Sequence, residues 1–208
     1  MPLLLCRLKD FKFDPQRFSL PTDTWLDFVN DELAGEYITL TEENGVITIN
    51  NVNEFAFFAT EVNGTDYSGK TIKLGADIDL RAHLWIPLGK INRRFKDTFD
   101  GDGHTISGLI INATEQNQGL FGYVLGGTIK NVNLTGVNVT STTSYVGGLV
   151  GFFTGSGSIE NCTVSGKVEG TGDSSQYISG LAGRISDNGT VKNNLVFDAT
   201  VSGNSRFC

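Results

Sequence analysis

Histidine, cysteine and positive charge are scarce in this chain, and long apolar runs are missing altogether. Two histidines occur in 208 residues, His83 and His104. No H-E-x-x-H sequence joins them, so a zincin-type metal site cannot be assembled. Cys6, Cys162 and Cys208 are an odd number scattered over the chain, which is neither a disulfide framework nor a zinc pattern. Cys162 stands in the alternating run Ile159-Glu160-Asn161-Cys162-Thr163-Val164 and reads as a small buried hydrophobe. Nothing approaches the roughly 18 apolar residues that cross a bilayer, so no membrane insertion is expected. Leu3-Leu4-Leu5-Cys6 is too short for the apolar core of an export signal.

The formal charge is −7, and all of it lies in the front half: residues 1–118 carry 11 Lys/Arg against 18 Asp/Glu, residues 119–208 five of each. An acidic front and a neutral back offer no basic patch for a phosphate backbone, so nucleic acid is not an expected partner. An anionic lipid surface is disfavoured for the same reason.

Glycine is in excess. It makes up 26 of the 208 residues, nearly twice the usual share of about 7%. It never settles into a period of three, which excludes collagen, and the Val, Ile, Leu and Phe between the glycines exclude a flexible linker. Regular turns between short strands remain.

The glycines mark a repeat. Gly119-Leu120-Phe121-Gly122, Gly148-Leu149-Val150-Gly151 and Gly180-Leu181-Ala182-Gly183 recur at spacings of 29 and 32 residues. Each is followed by a second block, Gly127-Thr128-Ile129-Lys130-Asn131, Gly157-Ser158-Ile159-Glu160-Asn161 and Gly189-Thr190-Val191-Lys192-Asn193. Apolar residues alternate within each unit, as in Val132, Leu134, Val137 and Val139, which is strand periodicity. A unit with one apolar face cannot bury it alone, so the units are expected to stack as a solenoid. Ile129, Ile159 and Val191 would then form one internal row, and Leu134, Val164 and Val196 another. Asn131, Asn161 and Asn193 fall where each strand must bend, and an internal asparagine ladder is expected there.

Upstream, Lys70–Leu74, Asp77–Leu80 and Phe99–Leu109 read as the first coils. Val52, Phe55, Ala56, Phe58, Ala59 and Val62 fall at helical spacings behind a capping box of Asn51 and Glu54. That helix is expected to lie over the open first coil. Tyr37–Leu40 and Val46–Ile49 flank Asn44-Gly45, a hairpin signal. The domain reading is a loosely ordered tail over 1–24, a hairpin and capping helix over 25–69, and a β-helix over 70–208 with repeats near 119–146, 148–178 and 180–203.

The thrice-repeated Gly-Leu-apolar-Gly, together with its Gly-[Ser/Thr]-[Ile/Val]-x-Asn partner block, resembles the GLUG motif family. Gly101-Asp102-Gly103-His104-Thr105-Ile106-Ser107-Gly108-Leu109 is similar to the segment that often precedes such repeats. The resemblance implies an all-β fold, a right-handed parallel β-helix of a bacterial surface or secreted protein. It also implies an extracellular or cell-surface location, and relatives that include adhesin-like proteins and accessory regions of immunoglobulin A peptidases. Peptidase activity does not carry over, because the histidines cannot form its metal site.

β-Helices also host polysaccharide lyases and hydrolases, whose acidic residues converge on one outer face. In the repeat half Glu160, Glu169, Asp173, Asp187 and Asp198 share no matching positions in successive units. Asp100-Gly101-Asp102-Gly103 resembles the start of a calcium loop but lacks its later glutamate, and a tight turn is expected. His104 reads as structural or surface, and His83 as a satisfied loop histidine beside Trp85, with contact to a ligand as the rival. Tyr123, Tyr145, Phe152, Phe153 and Tyr177 recur near the repeat glycines and read mostly as core or inter-coil packing, with stacking on sugars or docking of a protein on a solenoid face as the rival. The expected function is therefore a non-catalytic adhesion or spacer module with no catalytic residues, metal or cofactor. A β-helical carbohydrate-active enzyme or glycan-binding module is the alternative. Host protein or glycan are the candidate partners, and self-association is expected through an uncapped C-terminal coil.

Overall fold

Short runs of alternating branched residues, each closed by glycine or asparagine, can pair only with runs one repeat away. The computed structural model describes residues 20–33, 38–63, 67, 69–173 and 175–203, and its strands pair in this way. The elements begin with α1 (Trp25–Asp31), β1 (Thr41–Glu43), β2 (Val46–Ile49), α2 (Val52–Val62), β3 (Thr71–Leu74) and β4 (Ile78–Asp79). They continue with β5 (Thr98–Asp100), β6 (Thr105–Ser107), β7 (Ile110–Ala113), β8 (Phe121–Leu125), β9 (Thr128–Lys130) and β10 (Asn133–Ser141). The last are β11 (Val146–Gly147), β12 (Val150–Thr154), β13 (Ser158–Glu160), β14 (Thr163–Gly170), β15 (Ile178–Ser179), β16 (Ala182–Ile185), β17 (Thr190–Lys192) and β18 (Leu195–Gly203).

One sheet runs β1-β2-β3-β5-β9-β13-β17, a second β18-β14-β10-β6-β4 with β7 also on β10, and a third β16-β12-β8, while β11 pairs β15. The neighbours are parallel except for β1 and β2. Each circuit of the chain thus adds one strand to each face, making a parallel β-solenoid of about 5 turns.

Both apolar rows are present and extend further than the three repeats. Ile47, Ile72, Phe99, Ile129, Ile159 and Val191 are in register, as are Ile78, Ile106, Leu134, Val164 and Val196. All are buried except Val191 and Val196. Those two belong to the last described coil, where no further strand stacks on them, and they are exposed together with Leu195 and Phe197.

The front differs from expectation in detail. Asn44 (φ 52°) and Gly45 (φ 81°) form the expected turn. A two-residue turn makes Glu43 the partner of Val46, so the first strand is Thr41–Glu43 rather than residues 37–40, of which Tyr37 lies outside the described residues. Asn51 caps α2 by accepting from Glu54 N (2.9 Å). Glu54 reaches back one residue further than a capping box, taking Asn50 N (2.7 Å) and the Asn51 amide (2.8 Å). Phe55 of this helix stacks on Trp85 at 5.0 Å and meets Phe99 at 6.1 Å, which anchors α2 on the core.

The sequence reading did not include α1. Thr24 and Asp27 form a full capping box, and Trp25 is buried with its indole donating to Leu80 O at 3.3 Å. Residues 1–19 of the expected tail lie outside the described residues. Asp23 to Trp25 are held by backbone hydrogen bonds with Leu84 (2.8 and 3.0 Å).

Candidate interaction face

The repeated tetrapeptide sits where coils touch backbone to backbone. A Cβ on Gly148 would lie 2.4 Å from Gly180 O and 2.7 Å from Val164 Cγ1. One on Gly151 would lie 2.5–2.6 Å from the Asn117 Cα and C and the Gln118 N. Leu149 and Val150 between them are fully buried. Glycine is needed at both ends because nothing larger fits, and the apolar pair fills the interior.

The third sheet turns its next residues outward. Tyr123 of β8, Phe152 of β12 and Arg184 of β16 are in register on its outer face. Arg94 precedes Phe95, which bridges Val124, so an arginine stands at each end of the row. The Arg94 guanidinium lies 5.2 Å from the Tyr123 ring centre, and that of Arg184 lies 5.3 Å from Phe152. Tyr145 and Tyr177 flank the row from the neighbouring corner, stacked on each other at 5.3 Å, with Tyr145 stacked on Phe152 at 5.5 Å. Arg184 covers both tyrosines at 5.6 Å and donates to the Tyr145 hydroxyl at 3.2 Å. All four rings are half-buried, whereas Phe153 faces inward and is fully buried.

Residues 142–169 match the family model described as the GLUG motif. That stretch is a GLUG repeat. It contains Tyr145, Gly148 to Gly151 and Phe152, so the motif builds both the close coil contact and the outer aromatic row. The chain is 39% identical over 94 residues to a protein of Evansella cellulosilytica named as a Gly-rich membrane protein, covering 40% of this chain and 11% of that one. It is 32% identical over 114 residues to the halomucin of Haloquadratum walsbyi, covering 47% of this chain and 1% of the relative. The chain therefore spans a small fraction of the curated relatives it matches. No solved structure matches it significantly.

The asparagines of the GLUG blocks occupy the left-handed conformation expected of a corner, with φ of 55°, 54° and 56°. Their ladder is not internal. Asn161 and Asn193 are exposed, because the left-handed bend turns the side chain out of the coil. Asn161 donates to Asn131 Oδ1 (3.3 Å) and Asn131 to Asp100 Oδ1 (2.9 Å), so the ladder runs along an outer edge and continues into the preceding coil.

Of the acidic candidates, Glu160 and Glu169 are in separate lysine pairs, Asp187 accepts from the Thr154 hydroxyl, and Asp173 and Asp198 are exposed. Asp100 pairs with Lys130 (3.0 Å), Asp102 with Lys73 (2.8 Å), Glu160 with Lys192 (3.1 Å) and Glu169 with Lys167 (2.6 Å). Burial pushes the Asp100 carboxyl up. Hydrogen bonds from Asn131, the Asp102 backbone and Lys130 outweigh it and hold the group below the usual carboxylate range. Asp102 (φ 50°) and Gly103 (φ 81°) form the expected tight turn. His104 Nδ1 meets Asp77 Oδ1 at 3.3 Å. His83, in a loop, pairs with Asp23 and lies against Trp25 and Phe28, a satisfied loop histidine. Cys162 is fully buried, and that burial pushes its thiol up to about 11.

Positive charge is distributed in a way that totals over each half concealed. Among the described residues, Lys70, Lys73, Arg81, Lys130, Lys167 and Lys192 each have a carboxylate partner. Lys90, Arg93, Arg94, Lys96 and Arg184 form no ion pair. Four of these belong to one loop, closed by reciprocal backbone bonds between Lys90 and Arg93 (2.8 and 3.0 Å), with exposed Ile91 at its tip. Arg93, Arg94 and Lys96 line a cleft of about 410 Å³ with Val62, Tyr67, Ile91, Asn92 and the buried carboxylate Asp97. The run Lys90-Ile91-Asn92-Arg93-Arg94-Phe95-Lys96 carries the local signal.

Proposed function

We propose that the chain is a non-catalytic module of a cell-surface protein, acting as a stiff spacer and adhesion element. The observation that carries this reading is the unbroken parallel register from β2 to β17. Each added coil lengthens such a body by about 4.8 Å along one axis. The GLUG repeat and the names of the relatives, a membrane protein and a halomucin, support a place at the cell surface. The pairing of Asp100, Asp102, Glu160 and Glu169 with separate lysines supports a structural reading of these four over an enzymatic one. A pair of free carboxylates flanking a groove would be required for acid and base roles.

Antibodies raised against the purified chain should label intact cells of its source, and protease treatment of intact cells should remove the label. Labelling that needs permeabilised cells would overturn the surface assignment. Chelator-sensitive cleavage of an acidic polysaccharide by the purified chain would overturn the non-catalytic one.

A further inference from the structure

We propose that the face running from the Lys90–Lys96 loop over Tyr123 and Phe152 to Arg184 binds a linear polysaccharide bearing carboxylates, laid along the solenoid axis. This deepens the adhesion reading above and rests on it. Three observations point to that occupant.

The first is charge. In a chain of formal charge −7, the cations that form no ion pair among the described residues are Arg184, over Phe152 at one end of the aromatic row, and four in the loop at its other end, of which Arg94 lies over Tyr123. Fields are screened over about 8 Å at physiological salt, so carboxylates on other faces do not cancel the attraction felt close to the row, and the one that shares the loop's cleft, Asp97, is buried there. Three of the five are arginines. Their planar forks suit a carboxylate better than an ammonium does.

The second is preorganisation. Arg94 and Arg184 lie over ring faces, which fixes the guanidinium planes while leaving in-plane donors for a ligand. Less side-chain entropy is lost on binding as a result. Tyr145 and Tyr177 hold these positions at φ of 65° and 61°, a conformation costing roughly 1–2 kcal/mol for a residue with a Cβ. Asn117 takes the equivalent corner one coil earlier at φ 63°, and asparagine tolerates it. Two tyrosines in a strained corner are explained by what their rings support.

The third is what the rings leave open. Tyr145 is stacked on both Phe152 and Tyr177, and the guanidinium groups cover further ring faces. Nucleic-acid bases need free aromatic faces to stack on, and this row has its faces already engaged. Ring edges, phenol hydroxyls and guanidinium donors remain, which are groups that meet carboxylates and sugar hydroxyls.

The test uses the full chain in a calorimetric titration against polygalacturonate, neutral dextran and a single-stranded oligonucleotide of matched charge. Polygalacturonate should bind, with affinity falling about tenfold or more between about 50 and about 200 mM salt. The double substitution Arg94→Gln and Arg184→Gln should weaken it by about tenfold or more, while Lys73→Gln on the first sheet should leave it unchanged. If the double variant misfolds, Arg93→Gln with Lys96→Gln in the exposed loop carries the same expectation. Equal binding of dextran, tighter binding of the oligonucleotide, unchanged affinity in the loop variant, or no binding of polygalacturonate would each overturn the proposal. These results are independent of where the parent protein resides, so the surface assignment stands or falls separately.

Discussion

Replacing Gly151 by alanine tests the physical reason for the GLUG spacing. The backbone there has an ordinary φ, so alanine carries no conformational penalty. Its Cβ would instead lie 2.5–2.6 Å from three backbone atoms of Asn117 and Gln118 in the preceding coil, where ordinary contacts are about 3.5–4.0 Å. The two coils must separate by about 1 Å. Overpacking of this kind costs about 1–3 kcal/mol, and two bonds at the same corner are stretched, Gln118 N to Tyr145 O (3.0 Å) and Gly147 N to Gln118 O (2.9 Å). Each contributes about 0.5–1.5 kcal/mol. The expected loss is about 2–6 kcal/mol, a large share of the roughly 5–15 kcal/mol that stabilises a domain.

Gly126 provides the contrast. It has φ of 70° and no atom within 4 Å of an added Cβ, so Gly126→Ala pays only for the left-handed backbone, about 1–2 kcal/mol. Thermal unfolding followed by circular dichroism should place Gly151→Ala about 4–24 °C below the wild-type midpoint, at about 2–4 °C per kcal/mol for a chain of this size. Gly126→Ala should fall by only a few degrees. A Gly151→Ala midpoint close to wild type, or above that of Gly126→Ala, would refute the argument that close coil contact dictates this glycine.

Other outcomes follow from burial and charge. Ile159→Ala removes a fully buried side chain from the middle of its row and should cost about 2–5 kcal/mol in urea titrations. Val191→Ala, in the same row but 40% exposed, should cost less than about 1 kcal/mol, and equal losses would contradict the row's exposed end. In a Cys6→Ser/Cys208→Ser background, Cys162 should resist iodoacetamide in the folded chain and react once the chain is unfolded in denaturant, since its thiol is buried and raised to about 11. Fast labelling of the folded chain would contradict that placement. Asp77, Asp79, Asp100, Glu160 and Glu169 are all lowered in the fold. Their contribution is therefore complete above the unfolded carboxylate range near about pH 4 and is lost as pH falls through the folded values. Stability that rises on acidification from about pH 5 to about pH 3 would contradict this sign.

The solenoid was legible because its signal is repetition. Equivalent residues thirty positions apart must align when coils stack, so Ile129, Ile159 and Val191 could be placed in one row from spacing alone. The asparagine corners were placed correctly along the chain but on the wrong side of the wall. A left-handed residue reverses the chain and turns its side chain outward, an effect that strand alternation does not reveal. Helix α1 was missed because it is one short, unrepeated segment whose capping box uses Asp27 in place of glutamate. The candidate interaction face was half legible. Its tyrosines and Phe152 recur with the motif, but Arg94 and Arg184 are 90 positions apart in sequence, and only the register of the third sheet brings them to the two ends of one row. Charge counted over each half hid the Lys90–Lys96 loop behind the carboxylates around it.

The two ends of the described stack differ in their edges and in their exposed apolar side chains. At the front, the first sheet ends on β1, whose residues are exposed and include Glu42, paired with Lys70, and Glu43. An antiparallel, charged edge strand resists further pairing. At the other end, among the described residues, all three larger sheets finish together, on β16, β17 and β18. That end presents Val191, Leu195, Val196 and Phe197 at 40–55% exposure. Strand edges with apolar side chains pair with edges of the same kind, and a two-fold arrangement lets the same end serve on both copies. Covering the exposed half of each of these side chains contributes on the order of 1 kcal/mol apiece. Sedimentation of the 208-residue chain should therefore show a concentration-dependent dimer that persists in high salt, because the contact is apolar. Val196→Lys should return it to monomer with its circular dichroism unchanged. A chain that stays monomeric up to about 1 mM would limit the contact to roughly 4 kcal/mol, and association unaffected by Val196→Lys would place it elsewhere; either result refutes pairing through the last coil.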